Sequence, residues 1–398
     1  MSLHHLTADP LLARILRRGR SLFAADLDRH QSALRAELDG ARVLVIGAGG
    51  SIGSAFTRQV AAYPLAALHL VDLNENTLVE VVRDLRSAEV RLPPDLRSLS
   101  IDLGGEEFAR FAAAHGPWDH VVNFSAMKHV RAERDPFSLM RMIDVNVGAL
   151  HRAFDRVGPA RRLFSVSTDK SVRPANLMGA TKNLMERVLF CRRGGIASSA
   201  RFANVAFSAG SLLEGFELRL AKGQPLAAPL DVRRYFISAE EAGQLCLLAA
   251  FVAGPCEVFF PRLDPRDDLL SFADIARAVL EARGLEPQPC ADEAEAKAML
   301  GRDPRRWPCL FSPSDTTGEK MAEEFWREAE TPDFSRFAEI GVIREPAADR
   351  AEIDAFLDEI AALRRRPVWD KAEIVAALAR AVPDLDHAEL GRNLDQKM

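Results

Sequence analysis

The segment Val43 to Gly53 reads VLVIGAGGSIG, an apolar strand-like run that ends in Gly47, Gly50 and Gly53 at G-x-x-G-x-x-G spacing, with Gly49 as a further small residue. Each glycine has a separate physical duty. One permits a tight turn, one lets the backbone approach a pyrophosphate, and one allows the next helix to pack close. Ser51 and Ile52 lie within the loop as further candidate cofactor contacts, and the N-terminus of the helix that follows favours an anion. A glycine-rich turn alone is common, but here a helical stretch, 54–62, leads to a second apolar run, LHLVD, ending at Asp72, 19 residues after Gly53. A carboxylate at that distance suits the ribose hydroxyls of an adenosine and repels a 2'-phosphate. Neither Leu73 nor Asn74 offers a compensating Arg, so the expected cofactor is NAD rather than NADP. Asp102, after LRSLSID, is placed either to face the adenine amino group or to end a strand in a turn.

From Ala41 onward the runs ARVLVIG, LHLVD, HVVNFSA, RLFSVST and SSARFANV alternate with helical stretches. Short runs apolar on both faces between helices predict an α/β fold, a Rossmann-type doubly wound parallel sheet covered by helices on both sides. Residues 1–40 read as an Arg-rich helical extension in which Leu22, Phe23, Leu27, Leu34 and Leu38 recur at helical spacing, the pattern of a packing or oligomerisation helix. Residues 41–207 form the expected NAD-binding domain. Past Ser208 the prolines 225, 229, 255, 261 and 265 break the pattern. A smaller, partly discontinuous substrate-binding lobe is expected over 208–345, with a segment near 234–260 returning to the first domain, and a charged helical extension over 346–398.

Composition narrows the function. Lys and Arg number 52 against 57 Asp and Glu, a net charge of -5, which argues against a general nucleic-acid binder. The five cysteines are scattered without a C-x-x-C pair, and no run of apolar residues is long enough for a membrane span or signal peptide. A reduced, cytoplasmic protein is the expectation. His69, His115, His120 and His151 show no metal-ligand spacing, so no metal is expected.

Ionisable residues cluster where the fifth apolar run ends, in Ser165-Val166-Ser167-Thr168-Asp169-Lys170, followed by Met178-Gly179-Ala180-Thr181-Lys182. In this fold class ligands bind at such strand ends. The motifs VIGAGGSIG, NFSAMKHV, IDVNVGAL, STDKSVRPANLMGATK, RFANVAFSAGS, RRYFIS and, less closely, TTGEKMAEEF resemble the extended short-chain dehydrogenase/reductases. More narrowly, the chain is similar to the polysaccharide-biosynthesis group of nucleotide-sugar 4,6-dehydratases that act on UDP-N-acetylglucosamine.

The resemblance implies a catalytic cycle in which C4 of the sugar is oxidised, water leaves across C5 and C6, and hydride returns to C6. It also implies a Tyr-x-x-x-Lys pair, yet Met178 stands at the Tyr position with Lys182 retained. A thioether cannot relay a proton at neutral pH. The acid–base work therefore shifts onto Thr168 at the C4 hydroxyl, Asp169 as the acid at C6 and Lys170 as the base at C5, with Lys182 holding the cofactor and lowering the pKa of Lys170. Asp169 and Lys170 can cooperate only on a turn, because neighbours on a strand point apart.

By the same resemblance Ser125 and Ala126 lie beneath the nicotinamide, while Lys128, His129 and Met178 face the substrate. Asn204, Ser208, Gly210, Ser211 and Arg234 contact its diphosphate. Asn146 is read as structural, and Arg201 as a support for its strand. Thr316-Thr317-Gly318-Glu319-Lys320 stands where the family carries Arg-Pro-Gly-Glu-Lys, which puts the usual nucleotide contact in doubt. A homo-oligomer that modifies a nucleotide sugar is the leading expectation. A nucleotide-sugar epimerase is the nearest alternative, and a silent nucleotide-sugar binding protein a third.

Overall fold

The computed structural model describes residues 9–88, 91–202, 204–313 and 323–387. The main sheet's parallel body comprises β1 (Arg42–Ile46), β2 (Ala67–Asp72), β3 (Asp95–Ser100), β4 (His120–Asn123), β5 (Arg162–Val166) and β6 (Ile196–Ala200), joined by Glu257–Pro261 beside β6. The eight-stranded order is Ile340–Arg344, Glu257–Pro261, β6, β5, β4, β1, β2, β3. Only the edge strand Ile340–Arg344 runs antiparallel to its neighbour. The chain winds outward from β1 to β3 and then returns to β4 on the other side of β1, so a crevice opens between the ends of β1 and β4. This is the doubly wound parallel architecture that the alternation of strands and helices implied.

Side-chain alternation divides the core into two layers. Leu44 and Ile46 of β1, with Val121 of β4 and Leu163 of β5, join the helices Pro136–Ile143, Leu150–Val157 and Leu177–Phe190 on one face. Val43, Val45, Val122 and Phe164 join the helices Ala24–Leu38, Ser51–Val60 and Ala239–Val252 on the other. The last of these helices is apolar on nearly every side because it lies between the sheet and two other helices. A Ser238–Glu241 capping box closes its N-terminus. Gly243 brings it close to its neighbour, since a Cβ there would lie 2.9 Å from the Phe56 amide nitrogen.

Phe23, Leu27, Leu34 and Leu38 of the N-terminal extension are buried in this second layer, and Arg18 is ion-paired with Glu241 at 2.8 Å. At the other end, helices Arg350–Arg364 and Lys371–Ala381 pack on Leu177–Phe190. Two three-stranded sheets and helices Leu212–Ala221 and Phe272–Glu281 make a separate small core around Phe216, Ile275 and Val279. Within 208–345, Glu257–Pro261 and Ile340–Arg344 both belong to the main sheet. Among the described residues no helix is long and apolar enough to cross a membrane.

Candidate active site

The glycine loop leaves β1 at the crevice. Gly47 has φ +78°, and a Cβ on it would overlap the Ser125 amide; one on Gly53 would overlap the Gly47 carbonyl. Those two positions are fixed by the protein's own packing. Gly50 differs: a Cβ would meet only the Gly47 carbonyl oxygen, at 3.5 Å. Its lack of a side chain leaves room on the cleft side, at a helix N-terminus with no side-chain cap.

A cavity of 390 Å³ follows, lined by Gly47, Gly50, Ser51, Asp72, Asp102, Ser125 and Ala126 among others. Asp72 accepts the Gly49 amide on one carboxylate oxygen and the Asn74 amide on the other, each at 2.8 Å. A second lone pair remains on each oxygen for a ribose hydroxyl. Asp102 accepts the Gly104 amide at 2.8 Å and pairs with Arg141 at 3.1 Å. Burial pushes its carboxyl up, but those two partners hold it below the ordinary value. Asp102 thus ends the strand in a turn, and it lines the cleft together with Arg141. The cleft, its bare helix terminus and the Asp72 carboxylate fit a dinucleotide.

Asn146 accepts the Met127 amide at 2.8 Å and donates to Met127 O and Thr181 Oγ1, both at 2.9 Å. It ties the loop after β4 to helix Leu177–Phe190 from a π-helical turn, Asp144–Ala149.

The strand geometry of β5 ends at Val166, and Asp169–Ser171 forms a 3-10 turn capped by Thr168. Asp169 and Lys170 therefore converge. Lys170 Nζ lies 3.0 Å and 3.3 Å from the two Asp169 oxygens, and Thr168 Oγ1 donates to Asp169 Oδ1 at 2.7 Å. Asp169 is buried, whereas Lys170 is partly open. Ser171 Oγ sits 2.7 Å from the Thr168 carbonyl and 2.9 Å from Glu186. Glu186 is clasped by the fully buried Arg201, which also reaches Glu345 at 2.6 Å. Burial raises the Glu186 carboxyl, and Arg201 more than reverses that shift. Arg201, which directly follows β6, thus anchors the turn through Glu186. A Cβ on Gly179 would overlap the Lys170 carbonyl, so this glycine lets the following helix pack against the turn.

Lys182 is buried and donates to the Val166 carbonyl at 2.8 Å, with Met185 Sδ at 3.2 Å. Burial pushes its pKa down to about 8, against the opposing pull of Glu186. Its amine is thus directed at the end of β5 rather than at Lys170. Met178 is buried, and its amide donates to Glu133 at 2.7 Å.

The remaining sequence-derived residues fall into two groups. Ser208, Gly210 and Ser211 lie beside the glycine loop, where the Ala209 amide donates to Ser51 Oγ at 3.0 Å. Ser211 caps helix Leu212–Ala221. The exposed Lys128 and His129 border this loop, and a Cβ on Gly210 would lie 2.6 Å from the His129 ring. Asn204 and Arg234 lie elsewhere, on adjacent lobe strands. Asn204 Nδ2 donates to Glu323 at 2.7 Å, and Arg234 attracts the same carboxylate. Residues 316–320 lie outside the described residues.

Glu323 was not singled out in the sequence, because nothing in the spacing of MAEEF distinguishes it from a surface acid. It borders a 380 Å³ cavity walled by Tyr235, Phe260, Phe325, Trp326 and Phe334. Among the described residues no cluster of three or more His, Cys, Asp or Glu could hold a metal ion.

Fold and glycine-loop cleft define a Rossmann-type α/β protein with a cleft that fits a dinucleotide. The chain belongs to the polysaccharide biosynthesis protein family, whose model matches residues 43–345. It is 28% identical over 312 residues to an uncharacterised membrane protein of Methanocaldococcus jannaschii, covering 76% of this chain and 85% of that one. Against the capsular polysaccharide biosynthesis protein CapD of Staphylococcus aureus identity is 30% over 236 residues, 56% of this chain but only 38% of CapD. An inverting UDP-N-acetylglucosamine 4,6-dehydratase of Campylobacter jejuni is 27% identical over 253 residues, 60% of this chain and 70% of that enzyme. Among solved structures, Pen from Bacillus thuringiensis superposes with TM-score 0.62 at 20% identity, covering 79% of this chain and 92% of Pen. WbmF of Bordetella bronchiseptica in complex with NAD+ gives 0.50 at 15%, covering 62% and 79%.

Proposed function

We propose that this protein is an NAD-dependent nucleotide-sugar 4,6-dehydratase that converts UDP-N-acetylglucosamine to a 4-keto-6-deoxy sugar nucleotide for surface-glycan synthesis. The observation that carries the reading is the convergence of Thr168, Asp169 and Lys170 on one turn beside the dinucleotide cleft. The similarity to a dehydratase of that substrate supports it. The glycine loop and Asp72 would hold the cofactor, which when bound takes hydride from C4 of the sugar and returns it to C6.

The chain's own part is proton handling. The C4 hydroxyl proton passes to Thr168 Oγ1 as Thr168 gives its own to Asp169, along the 2.7 Å hydrogen bond. Asp169, now a carboxylic acid, protonates the departing C6 hydroxyl, so the C4 proton leaves in the water released. Lys170, as a neutral amine, takes the C5 proton made acidic by the 4-ketone, exchanges it with solvent and later returns a solvent-derived proton to C5. Met178 takes no proton in this scheme, which removes the need for a Tyr. Ser208, Gly210 and Ser211 would meet the diphosphate, with Arg234, Asn204, Lys128 and His129 bordering the sugar.

Mass spectrometry of the purified protein incubated with NAD and UDP-N-acetylglucosamine tests the reading. A product lighter by one water supports it; an isomer of unchanged mass indicates an epimerase instead, and no product indicates a binding protein.

A further inference from the structure

The strand order fixes where the far end of a bound dinucleotide must lie. β1, β2 and β3 stand side by side at one edge of the main sheet. The glycine loop follows β1 and Asp72 ends β2, so a dinucleotide with its pyrophosphate at the first and its ribose at the second turns its base toward the residues that follow β3. Those are Ile101, Asp102 and Leu103, which line the 390 Å³ cleft together with Arg141 and Val145.

Arg141, on helix Pro136–Ile143, has both ends of its guanidinium tied down. Nη1 donates to Asp144 Oδ2 at 3.2 Å and Nη2 to Asp102 Oδ2 at 3.1 Å. Both anchors are themselves held. Asp102 also accepts the Gly104 amide, and the buried Asp144 is paired with Arg152 and with Arg364 of the C-terminal helix Arg350–Arg364, each at 3.1 Å. A planar fork fastened at both terminal nitrogens cannot turn edge-on to a ligand without breaking a charge-assisted hydrogen bond. Its flat face is what it can offer, and the side chain is 43% exposed, which leaves room for a ring to lie on it.

An adenine is such a ring, and a guanidinium stacks on it through cation–π attraction and contact of the two planes. Ile101, Leu103 and Val145 add apolar wall to the same cleft. Resting on the dinucleotide reading of the cleft, we propose that Arg141 is the base-stacking residue of the cofactor site, clamped by Asp102 and Asp144 so that its face carries the adenine ring. Asp102 is then a positioning residue that holds Arg141, rather than the reader of the adenine amino group. Arg364 gives the C-terminal extension a part in cofactor binding, because it helps to hold Asp144. Recognition by the face makes the site indifferent to the amino group on the edge of the base.

Two binding measurements on the full chain, made without a nucleotide sugar, test the assignment. Titration calorimetry with NAD compares wild type, Arg141→Met and Arg141→Lys. Methionine keeps an unbranched stem and removes the guanidinium, while Asp144 retains Arg152 and Arg364. Affinity is expected to fall about 3- to 30-fold in Arg141→Met. Lysine keeps the charge but has no plane, so it should recover only part of the loss. Wild-type affinity in Arg141→Met, or full recovery in Arg141→Lys, would overturn the proposal.

The second measurement uses the wild type alone, with etheno-NAD, in which the adenine amino group is closed into a further ring. Stacking predicts an affinity within about fivefold of that for NAD, because the ring face is kept. A larger loss would mean that the base is read at its edge and would overturn the proposal. Failure of the wild type to bind NAD would refute the cofactor reading and this assignment together. A protein that binds NAD through Arg141 yet dehydrates no nucleotide sugar would uphold the assignment while refuting the dehydratase reading.

Discussion

The two halves of the crevice are built by different means. On the β1–β2 side, backbone geometry makes the site: Gly47 and Gly53 are demanded by steric overlap with main-chain atoms, those of Ser125 and of Gly47 itself, and Asp72 is held by amides of its own loop and the glycine loop. On the β5 side, charges from distant segments make it. The Thr168–Lys170 turn rests on Glu186, Arg201 and Glu345, and its neighbour Glu323 arrives from beyond residue 313. A backbone-built site tolerates little change in shape, whereas a charge-built site tolerates little change in ionisation.

The largest effect that separates the halves is expected from Asp169→Asn, which keeps shape and removes the ionisable group. Dehydration should fall by about 10²- to 10⁴-fold while cofactor affinity, measured by titration calorimetry, stays at the wild-type value. Equal losses of both would mean that the halves are not separable.

Arg201→Leu tests the anchor. It strands the buried Glu186 carboxylate and leaves Glu345 paired with Arg327 alone, and chemical denaturation should show a loss of about 3–5 kcal/mol. A smaller loss than for an average surface substitution would remove the anchor from the account.

Within the backbone-built half, Gly47→Ala should cost about 1–3 kcal/mol of stability through its left-handed backbone alone. Gly50→Ala should leave stability nearly unchanged and weaken cofactor binding, because its open side faces the cleft. Equal destabilisation by both would contradict the distinct duties drawn for them.

The effect confined to alkaline pH is a slope from Lys182. Its amine titrates near 8 in the folded protein against an ordinary 10.5, so the unfolded chain binds more protons between those values. That contribution to stability is therefore present above about 10.5, shrinks as pH falls, and is lost below about 8. Lys182→Met should flatten the slope of the unfolding free energy across this window; an unchanged slope would show that another group carries it.

What the sequence disclosed follows the same division. The strands, the glycine loop and Asp72 were legible because periodicity and the spacing of glycines and an acid are patterns carried by short stretches of chain. The pairing of Asp169 with Lys170 was legible only as a condition, since STDK does not reveal where β5 ends; the 3-10 turn supplies that answer. The direction of Lys182 toward the Val166 carbonyl and the grip of Glu323 on Asn204 were not legible, because both depend on contacts that sequence spacing does not encode. Asn204 and Arg234, grouped with Ser208 by motif, stand apart from that loop because the lobe strands carry them toward the catalytic turn.

The central claim is that one turn moves protons at C4, C5 and C6 of a single sugar. Running the reaction with UDP-N-acetylglucosamine in deuterated water and locating the label by NMR tests it most directly. The account predicts a product lighter by the elements of water that carries one solvent-derived deuterium at C5, with the migrated hydrogen at C6. An isomer that retains its C6 hydroxyl and carries no deuterium at C5 would contradict it.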